Sequence, residues 1–356
     1  MRTISWDDDR DSIAMVDQTL LPAEFTTFYA ETIPDLVDSI ERLRVRGAPA
    51  LGAAGAFGVG LSAHRRSADS AGELLEAIEA DAEAVSTARP TAVNLERGVE
   101  EALAAAREAD TIAGIRDAAL AAAQELADRD VERNKTIGAH GAELLEAEDT
   151  VMTHCNAGAL ATVDWGTALG VVYSAHEAGK PVDVIANETR PLNQGSRITT
   201  VELMERDVET TLIPDNASGL AMQQGMVDVV VVGADRIVLD GGEGFGDQGV
   251  VFNKIGTYKH AVLADRHDVP FVVAAPRSTI DEDSAADDVE IEQRDPTELR
   301  EIYGGQNAPA DVPVYNPAFD ATPMELVDYV VTEDGVFEPP LDRAAILGVD
   351  QGPVRA

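Results

Sequence analysis

From about residue 148 onward, short runs rich in valine, isoleucine and threonine alternate with helical segments. The strands that this pattern predicts are Val151–Thr153, Val182–Ala186, Thr210–Ile213, Val227–Val232 and Phe271–Ala274. The helices predicted between them are Thr167–Ala178, Thr199–Glu205, Ser218–Gln223 and Thr257–Asp265. Strands that alternate with helices indicate βαβ units, and a nearly continuous valine run indicates a strand buried on both faces of a parallel sheet. We therefore predict a doubly wound, Rossmann-like parallel-sheet domain.

The first part of the chain has a different pattern. Residues 1–35 combine short alternating runs with Pro22 and Pro34, which indicates a small sheet of a few strands. From Leu36 to about Leu145, alanine, glutamate, leucine and arginine dominate, and these residues favour helices. A chain of 356 residues is long enough for two cores, because single cores rarely grow beyond about 250–300 residues. The predicted α/β architecture is a small, mainly helical N-terminal domain with a short sheet (1–135), followed by the Rossmann-like domain (136–356).

Three later segments are predicted to be irregular. The acidic stretch Asp281–Asp295 is predicted as a charged loop, and the chain from Pro339 onward as a tail. The glycine-rich stretch Gly241–Gly246 is too acidic to hold a phosphate group, and we interpret it as a flexible insertion.

The charge of the chain limits its partners and its habitat. Acidic residues outnumber basic residues 65 to 27, which gives a formal net charge of −38. Such a surface repels phosphate backbones and anionic lipid headgroups, so we expect neither a nucleic acid nor a membrane as a partner. A salt-rich cytoplasm would screen the self-repulsion, and the acidic stretch Trp6–Asp11 does not fit a signal peptide. We therefore expect a soluble, cytoplasmic protein from a halophilic source.

The sequence has no motif for a metal or a cofactor. Its single cysteine, Cys155, excludes an internal disulfide and a cysteine-based zinc site. No residues have the spacing of metal ligands, and neither a dinucleotide-binding GxGxxG fingerprint nor a Walker P-loop occurs. We therefore predict that the protein uses no metal and no cofactor.

Polar or glycine-bearing residues follow each of the five predicted strands. In open parallel sheets, ligands bind outside the carboxyl ends of the strands, so five such ends at one edge predict a site. The segments that follow the strands are His154–Gly158, Asn187–Gly195, Pro214–Asn216, Gly233–Arg236 and Ala275–Arg277.

Cys155 and Asp235 are the candidate catalytic residues in these segments. Cys155 is expected to open a glycine-containing turn into a helix, where backbone N–H groups and the helix dipole favour a thiolate. Its ordinary alternative is a small buried apolar residue. Asp235 ends the most hydrophobic strand, where burial would raise its pKa and make it a proton donor. The alternatives for Asp235 are a helix N-cap or a partner for Arg236. For Asp215 a role in the site and its ordinary role, the cap of its following helix, are evenly balanced.

Other side chains are candidates for binding an anion. Asn253 and Lys254 are predicted at a helix start, and Lys254 is one of only four lysines in the chain. Arg46, Arg89 and Gln194 are further candidates for contact with a phosphate or a sugar. The ordinary alternative for each arginine is a surface ion pair.

Several of these segments together resemble the methylthioribose-1-phosphate isomerase family. The resemblance extends in order from about Ile4 to Val336. Its motifs are Trp6–Asp7, Asp17–Pro22, Val45–Gly52, Thr87–Leu95, Thr153–Ala161, Glu188–Pro191, Gly233–Ile237 and Asn253–Tyr258. The family lies in a wider group that also contains ribose-1,5-bisphosphate isomerases and the non-catalytic regulatory subunits of the translation-initiation exchange factor.

The resemblance implies an aldose–ketose isomerase that converts 5-methylthioribose 1-phosphate to 5-methylthioribulose 1-phosphate in methionine salvage. It implies catalytic roles for Cys155 and Asp235, a homodimer, and a sugar phosphate as the substrate. The implied substrate-binding residues are Arg46, Gly47, Ala48, Arg89, Gln194, Asn253 and Lys254. The alternatives are a ribose-1,5-bisphosphate isomerase and a non-catalytic exchange-factor-like protein.

Two departures from the family pattern bear on the choice of sugar. Asn187 stands where the methylthioribose branch usually has Asp, and an acidic insertion extends roughly from Asp240 to Gly249. The insertion could reshape the pocket beside the fifth carbon of the sugar, where a methylthio group and a phosphate group differ.

Overall fold

The computed structural model describes residues 2–89, 92–245, 249–302 and 304–347. The chain forms two compact units, one of Met1–Lys135 with Ala157–Gly166 and one of Thr136–Asn156 with Thr167–Ala356. The segment 157–166, which directly follows the predicted catalytic turn, therefore packs with the first unit. Among the described residues, no helix is both long enough and apolar enough to cross a membrane.

The first unit combines a small antiparallel sheet with helices, as the sequence predicts. Its strands are β1 (Ile4–Asp7), β2 (Ser12–Val16) and β3 (Thr27–Ala30), and β2 pairs with both others. Its helices are α1 (Ile33–Glu41), α2 (Ala48–Arg65), α3 (Ala71–Thr87) and α4 (Val93–Arg107). A fifth helix, α5 (Ile112–Ala142), begins in the first unit and ends in the second.

Helix α2 lies at the centre of the first unit. All of its residues from Ala50 to Ala63 are buried, which fits a helix that is apolar on every side. Side-chain caps fix where its neighbours begin: the Thr32 hydroxyl accepts the N–H of Asp35 in a capping box, and Ser70 accepts the N–H of Glu73.

The second unit contains the remaining strands and helices. The strands are β4 (Thr150–Thr153), β5 (Asp183–Asn187), β6 (Thr210–Ile213), β7 (Val229–Val232), β8 (Arg236–Asp240), β9 (Val250–Lys254), β10 (Phe271–Ala274), β11 (Ile280–Ala285), β12 (Glu301–Ile302), β13 (Gly305–Gln306), β14 (Phe319–Pro323), β15 (Tyr329–Thr332) and β16 (Gly335–Phe337). The helices are α6 (Ala168–Glu177), α7 (Thr200–Met204), α8 (Ser218–Gln223), α9 (Gly242–Phe245), α10 (Thr257–Arg266), α11 (Thr297–Arg300) and α12 (Arg343–Ile346).

A seven-stranded sheet forms the core of this unit, in the order β16-β15-β10-β7-β4-β5-β6. Its strands are parallel except for β16, which pairs antiparallel with β15. Strand β7 consists of four buried valines, as expected for a central strand covered on both faces. The predicted parallel sheet is thus confirmed, and all five predicted strands belong to it.

A second, four-stranded sheet was not predicted from the sequence. Its order is β11-β8-β9-β14, and it contains part of the stretch that was predicted as a charged loop. That prediction was wrong for Ile280–Ala285, which pairs in parallel with β8 as an edge strand. Charged side chains are compatible with an edge strand, because one side of it faces solvent and the charges oppose further pairing.

Candidate active site

The segments that contain Cys155 and Asp235 follow neighbouring strands of the large sheet. Strand β4, which precedes Cys155, pairs in parallel with β7, which precedes Asp235, with Met152 opposite Val230. Beyond this pair, the Thr153 hydroxyl at the end of β4 donates a hydrogen bond to the Val231 carbonyl of β7 (2.9 Å), so the two strands are also in contact there. The two residues therefore follow adjacent strand ends at the same edge of the sheet.

Cys155 lies half-buried in a tight turn held by two neighbouring threonines. Its φ is +65°, which is uncommon for a residue other than glycine. Its N–H donates to the Thr189 hydroxyl (2.8 Å), and its carbonyl accepts from the Thr199 hydroxyl (2.5 Å). The expected helix does not start at this turn: a short 3₁₀ turn, Ala159–Ala161, follows instead, and α6 begins only at Ala168. A helix dipole therefore does not account for a thiolate at Cys155.

Asp235 lies between β7 of the seven-stranded sheet and β8 of the four-stranded sheet. Its N–H donates to the Phe252 carbonyl (3.0 Å), and Arg236 pairs with Phe252 in the antiparallel β8–β9 ladder. This register places Asp235 opposite Asn253. Asp235 is exposed, so the predicted burial at the end of the apolar strand is wrong, because the valine run ends at Val232 and leaves the carboxyl group beyond it.

Asn253 and Lys254 end strand β9 rather than starting a helix. The Asn253 amide donates to the Thr257 hydroxyl (3.0 Å) at the first residue of α10. The Lys254 ammonium donates to the Ala318 carbonyl (2.9 Å) and lies 4.5 Å from the centre of the Phe319 ring. Lys254 also lines a narrow crevice with Gln194, so these two predicted binding residues are close together.

The other four predicted binding residues lie in the first unit. Half-buried Arg46 precedes Gly47, the N-cap of α2, and exposed Ala48 begins that helix. Gly47 has φ +91°, and a Cβ atom on it would lie 2.0 Å from the Ala161 carbonyl oxygen. The close approach alone therefore requires glycine at this position. Arg89 is half-buried just after α3, and the Pro90–Thr91 part of its motif lies outside the described residues.

The structure describes Asn187 and most of the acidic insertion, the two departures from the family pattern. Residues 246–248 of the predicted insertion, and residues 348–356 of the predicted tail, lie outside the described residues. Asn187 is fully buried at the end of β5, and its amide donates to the Thr153 carbonyl (2.9 Å). An ionised Asp at this position could not donate that hydrogen bond.

Asp215 supports the site in a way that the sequence did not predict. Its carboxylate accepts the N–H groups of Thr189 (2.8 Å) and Arg190 (2.7 Å) at the neighbouring strand end. The ordinary alternative, in which this carboxylate caps its own following helix, is therefore not the one that the structure has. The hydroxyl of Thr189 contacts Cys155, so Asp215 fixes the loop that supports the cysteine turn.

Sequence reasoning also missed a buried histidine pair beneath this turn. His154 and His260 are both buried, and their rings lie 4.6 Å apart. The spacing of His260 from Thr257, Ala261 and Ala264 marks it as a residue on the buried face of α10, but no sequence signal names its partner.

The charged groups around this pair have shifted pKa values. Burial lowers the pKa of His154 to about 4 and lowers that of His260 well below its ordinary value. Burial also lowers the pKa of Lys259, and it raises the pKa of Asp320 to about 6. Both histidines are therefore neutral near neutral pH. Among the described residues, no group of three His, Cys, Asp or Glu side chains could hold a metal ion.

Together, the fold and the site define an α/β protein whose parallel sheet presents a thiol and a carboxyl group at one edge, beside lysine and amide side chains. The model of the Initiation factor 2 subunit family matches residues 44–339 of the chain. A relative from Methanosarcina acetivorans, provisionally named as a methylthioribose-1-phosphate isomerase, is 53% identical over 340 residues, or 96% of this chain and 95% of the relative.

Two solved structures have the same fold over 98% of this chain. One is the translation initiation factor eIF-2B subunit delta from A. fulgidus (50% identity, TM-score 0.92, 99% of that chain covered). The other is 5-methylthioribose 1-phosphate isomerase from Pyrococcus horikoshii OT3 (40% identity, TM-score 0.91, 96% of that chain covered). The chain belongs to the Initiation factor 2 subunit family and, within it, to the methylthioribose-1-phosphate isomerases. The resemblance inferred from the sequence motifs is thus confirmed.

Proposed function

We propose that the protein is an intramolecular oxidoreductase that converts 5-methylthioribose 1-phosphate to 5-methylthioribulose 1-phosphate in methionine salvage. The observation that carries the proposal is the 53% identity to the Methanosarcina relative over nearly the whole of both chains. The presence of Cys155 and Asp235 at neighbouring strand ends supports catalysis rather than binding alone.

The proposed reaction assigns separate tasks to the two catalytic residues. The phosphate on the anomeric carbon prevents simple opening of the sugar ring to an aldehyde. We assign to the protonated form of Asp235 the donation of a proton to the ring oxygen as the bond from C1 to that oxygen breaks. The same carboxylate then accepts the proton of the C2 hydroxyl as the ketone forms.

A hydrogen must also move from C2 to C1. Cys155 either carries it as a proton, with its thiolate as the base, or stabilises charge while it moves as a hydride. Both routes conserve atoms and electrons, and the product is the open-chain ketose 1-phosphate. Solvent deuterium at C1 of the product would support the proton route.

The proposed ligands of the phosphate and hydroxyl groups are Arg46, Gly47, Ala48, Arg89, Gln194, Asn253 and Lys254. Arginine offers two donors to one phosphate, and lysine offers a compact charge. In the second unit, the proximity of Gln194 and Lys254 supports a shared role for these two residues.

The experiment supplies the purified protein with 5-methylthioribose 1-phosphate or ribose 1,5-bisphosphate, and follows the ketose by NMR. We expect the methylthio sugar to react faster, and Cys155→Ser and Asp235→Asn each to lower kcat by at least about 100-fold with the fold intact. Asp265→Asn, which removes an exposed carboxyl group from α10, is the matched control. Full activity of either catalytic variant would refute its assigned role.

A regulatory role is the second candidate function. It is favoured by one observation, the 50% identity to a solved structure described as a translation initiation factor subunit. If neither sugar yields a ketose under conditions where the protein is folded, this candidate replaces the isomerase. A faster reaction with ribose 1,5-bisphosphate would instead change the substrate but keep the reaction class.

We further propose a halophilic source, a cytoplasmic location and a homodimer. The net charge of −38 supports the first, and the resemblance to the methylthioribose-1-phosphate isomerase family implies the others. The division into domains of residues 1–135 and 136–356 also remains a proposal, because the segment 157–166 belongs to the first compact unit.

A further inference from the structure

The buried histidine pair joins the cysteine turn to the end of strand β9. His154 immediately precedes Cys155, and its Nε2 lies 2.8 Å from the carbonyl oxygen of Ile255, the residue after Lys254. The His154 Nδ1 lies 3.1 Å from the Nε2 of His260 on α10. The ring also packs against Gly256, where a Cβ atom would be 2.9 Å from the His154 Nε2. Glycine at this position thus leaves space for the ring.

The hydrogen-bond partners fix the tautomer of both rings. A carbonyl oxygen can only accept, so the His154 Nε2 must bear the hydrogen. In the neutral ring the His154 Nδ1 is then an acceptor, and the His260 Nε2 must be the donor to it. Among the described residues, none forms a hydrogen bond with the buried His260 Nδ1, which fits the bare nitrogen of a neutral ring. The two rings therefore form a chain of donors that ends at the Ile255 carbonyl.

The cysteine turn needs such support because its backbone is strained. A positive φ at a residue other than glycine is unfavourable and persists only where surrounding contacts fix it. Thr189, whose hydroxyl accepts the Cys155 N–H, also has a positive φ of 64°. Its hydroxyl lies 3.5 Å from the His154 Nδ1, so the ring contacts both strained turns.

We propose that His154 is a positioning residue, which fixes Cys155 relative to Asn253 and Lys254 through its hydrogen bond to Ile255, with His260 holding it in the required tautomer. This inference rests on the proposed function, because Cys155 and Lys254 act on the substrate only in that reaction. It adds two residues that have no direct contact with the reacting atoms.

The charged neighbours of the pair are consistent with neutral rings. The Asp215 carboxylate lies 4.0 Å from the His154 Nδ1 and favours a charged ring, whereas Lys254 and Lys259 oppose it. Burial outweighs the carboxylate and keeps the pKa of His154 at about 4. The hydrogen bonds of the pair therefore persist throughout the neutral pH range.

The first test measures kcat and KM for 5-methylthioribose 1-phosphate in His154→Phe and His154→Gln. Phe fills the ring volume without a donor, whereas the Gln amide can still donate to the Ile255 carbonyl. We expect His154→Phe to lower kcat by about 100-fold with KM within about threefold, as a misplaced group does. We expect His154→Gln to recover at least about tenfold of this loss, which a merely space-filling role would not allow.

His176→Gln is the matched control. His176 also contacts a backbone carbonyl, that of Val182 at 2.9 Å, but this contact precedes β5, at the opposite end of the sheet. We expect this variant to keep wild-type kcat. If His154→Phe fails to fold, His260→Phe becomes the deciding variant, because it leaves the Ile255 hydrogen bond in place. Its kcat should then fall about tenfold without a matching rise in KM.

A second readout is independent of the substrate. Cys155 is the only cysteine, so its alkylation by iodoacetamide reports on this one turn. We expect His154→Phe to speed alkylation at least about fivefold, because the half-buried thiol becomes more accessible, and His176→Gln to leave the rate unchanged. If no sugar is isomerised but alkylation still responds, the proposed function fails while the positioning role stands. A folded His154→Phe variant with unchanged alkylation and unchanged kcat would overturn the positioning role.

Discussion

Asp130 allows the effect of burial in the first unit to be measured as a dependence of stability on pH. It lies on α5 and is 6% exposed, and its Oδ2 atom accepts the Val163 N–H (2.8 Å) and the Asn134 amide (3.1 Å). Val163 belongs to the segment 157–166, so Asp130 fixes this segment to the helix. Burial raises the pKa of Asp130 to about 6, although both hydrogen bonds and Arg133 act in the opposite direction.

The sign and the size of the effect follow from proton linkage. Between about pH 4 and 6 the folded protein binds a proton at Asp130 that the unfolded chain does not bind, so stability falls as the pH rises through this range. The rise in the pKa of Asp130 from 3.8 to about 6 corresponds to about 3 kcal/mol of unfolding free energy. Asp130→Asn removes the titrating group but keeps an oxygen that accepts the Val163 N–H. We therefore expect the variant, relative to the wild type, to gain most of this free energy, about 2.5 kcal/mol, between about pH 4 and pH 7.

The assay is urea unfolding at both pH values in one high-salt buffer. The buried histidines and Asp320 also make stability depend on pH, the histidines in the opposite direction to Asp130. Comparing the variant with the wild type cancels these contributions, because both proteins contain the same groups. Asp342→Asn is the control, because Asp342 also accepts backbone N–H groups but is exposed. A difference between Asp130→Asn and the wild type that does not vary with pH would refute the assigned effect of burial.

Three further predictions concern the binding residues and the charge. Gly47→Ala should lower the unfolding free energy by at least about 3 kcal/mol, because φ is positive at this position and the new Cβ atom would collide with the Ala161 carbonyl oxygen. Gly72→Ala in α3, where the Cβ atom meets no neighbour, should raise it by roughly 0.5–1 kcal/mol. Urea unfolding of both variants tests this pair of predictions. Arg89→Ala should raise KM for the sugar phosphate at least about tenfold with a smaller effect on kcat, and an unchanged KM would contradict its role. At about 10 mM salt the wild type should unfold or dissociate, and full thermal stability there would contradict the halophilic interpretation.

The large sheet was predictable because its central strands are buried on both faces. This environment demands continuous runs of valine and isoleucine, as in Val229–Val232, and such runs are visible in a single sequence. The small sheet lacks this signal. Half of the residues in its edge strand Ile280–Ala285 are acidic, and the pairing of this strand with β8 depends on how the chain between them folds rather than on its own pattern.

For the site as well, features set by the strand pattern were predictable, whereas features that depend on the path of the chain after a strand were not. The carboxyl ends of parallel strands lie at one edge of a sheet, so Cys155 and Asp235 could be predicted to share that edge, although the adjacency of their two strands could not. The burial of Asp235 could not, because accessibility beyond the last strand residue depends on how the chain turns after Val232.

The supporting residues are harder to find from sequence, because their function depends on partners from distant elements. His154, His260 and Asp215 are separated by 45 residues or more, yet they meet around the cysteine turn. A catalytic thiol can be recognised by its chemistry and its place in a loop, whereas a histidine that only donates to a backbone carbonyl has no distinguishing pattern. Mutations chosen from sequence motifs alone would therefore test the reacting groups and miss the buried residues that hold them in place.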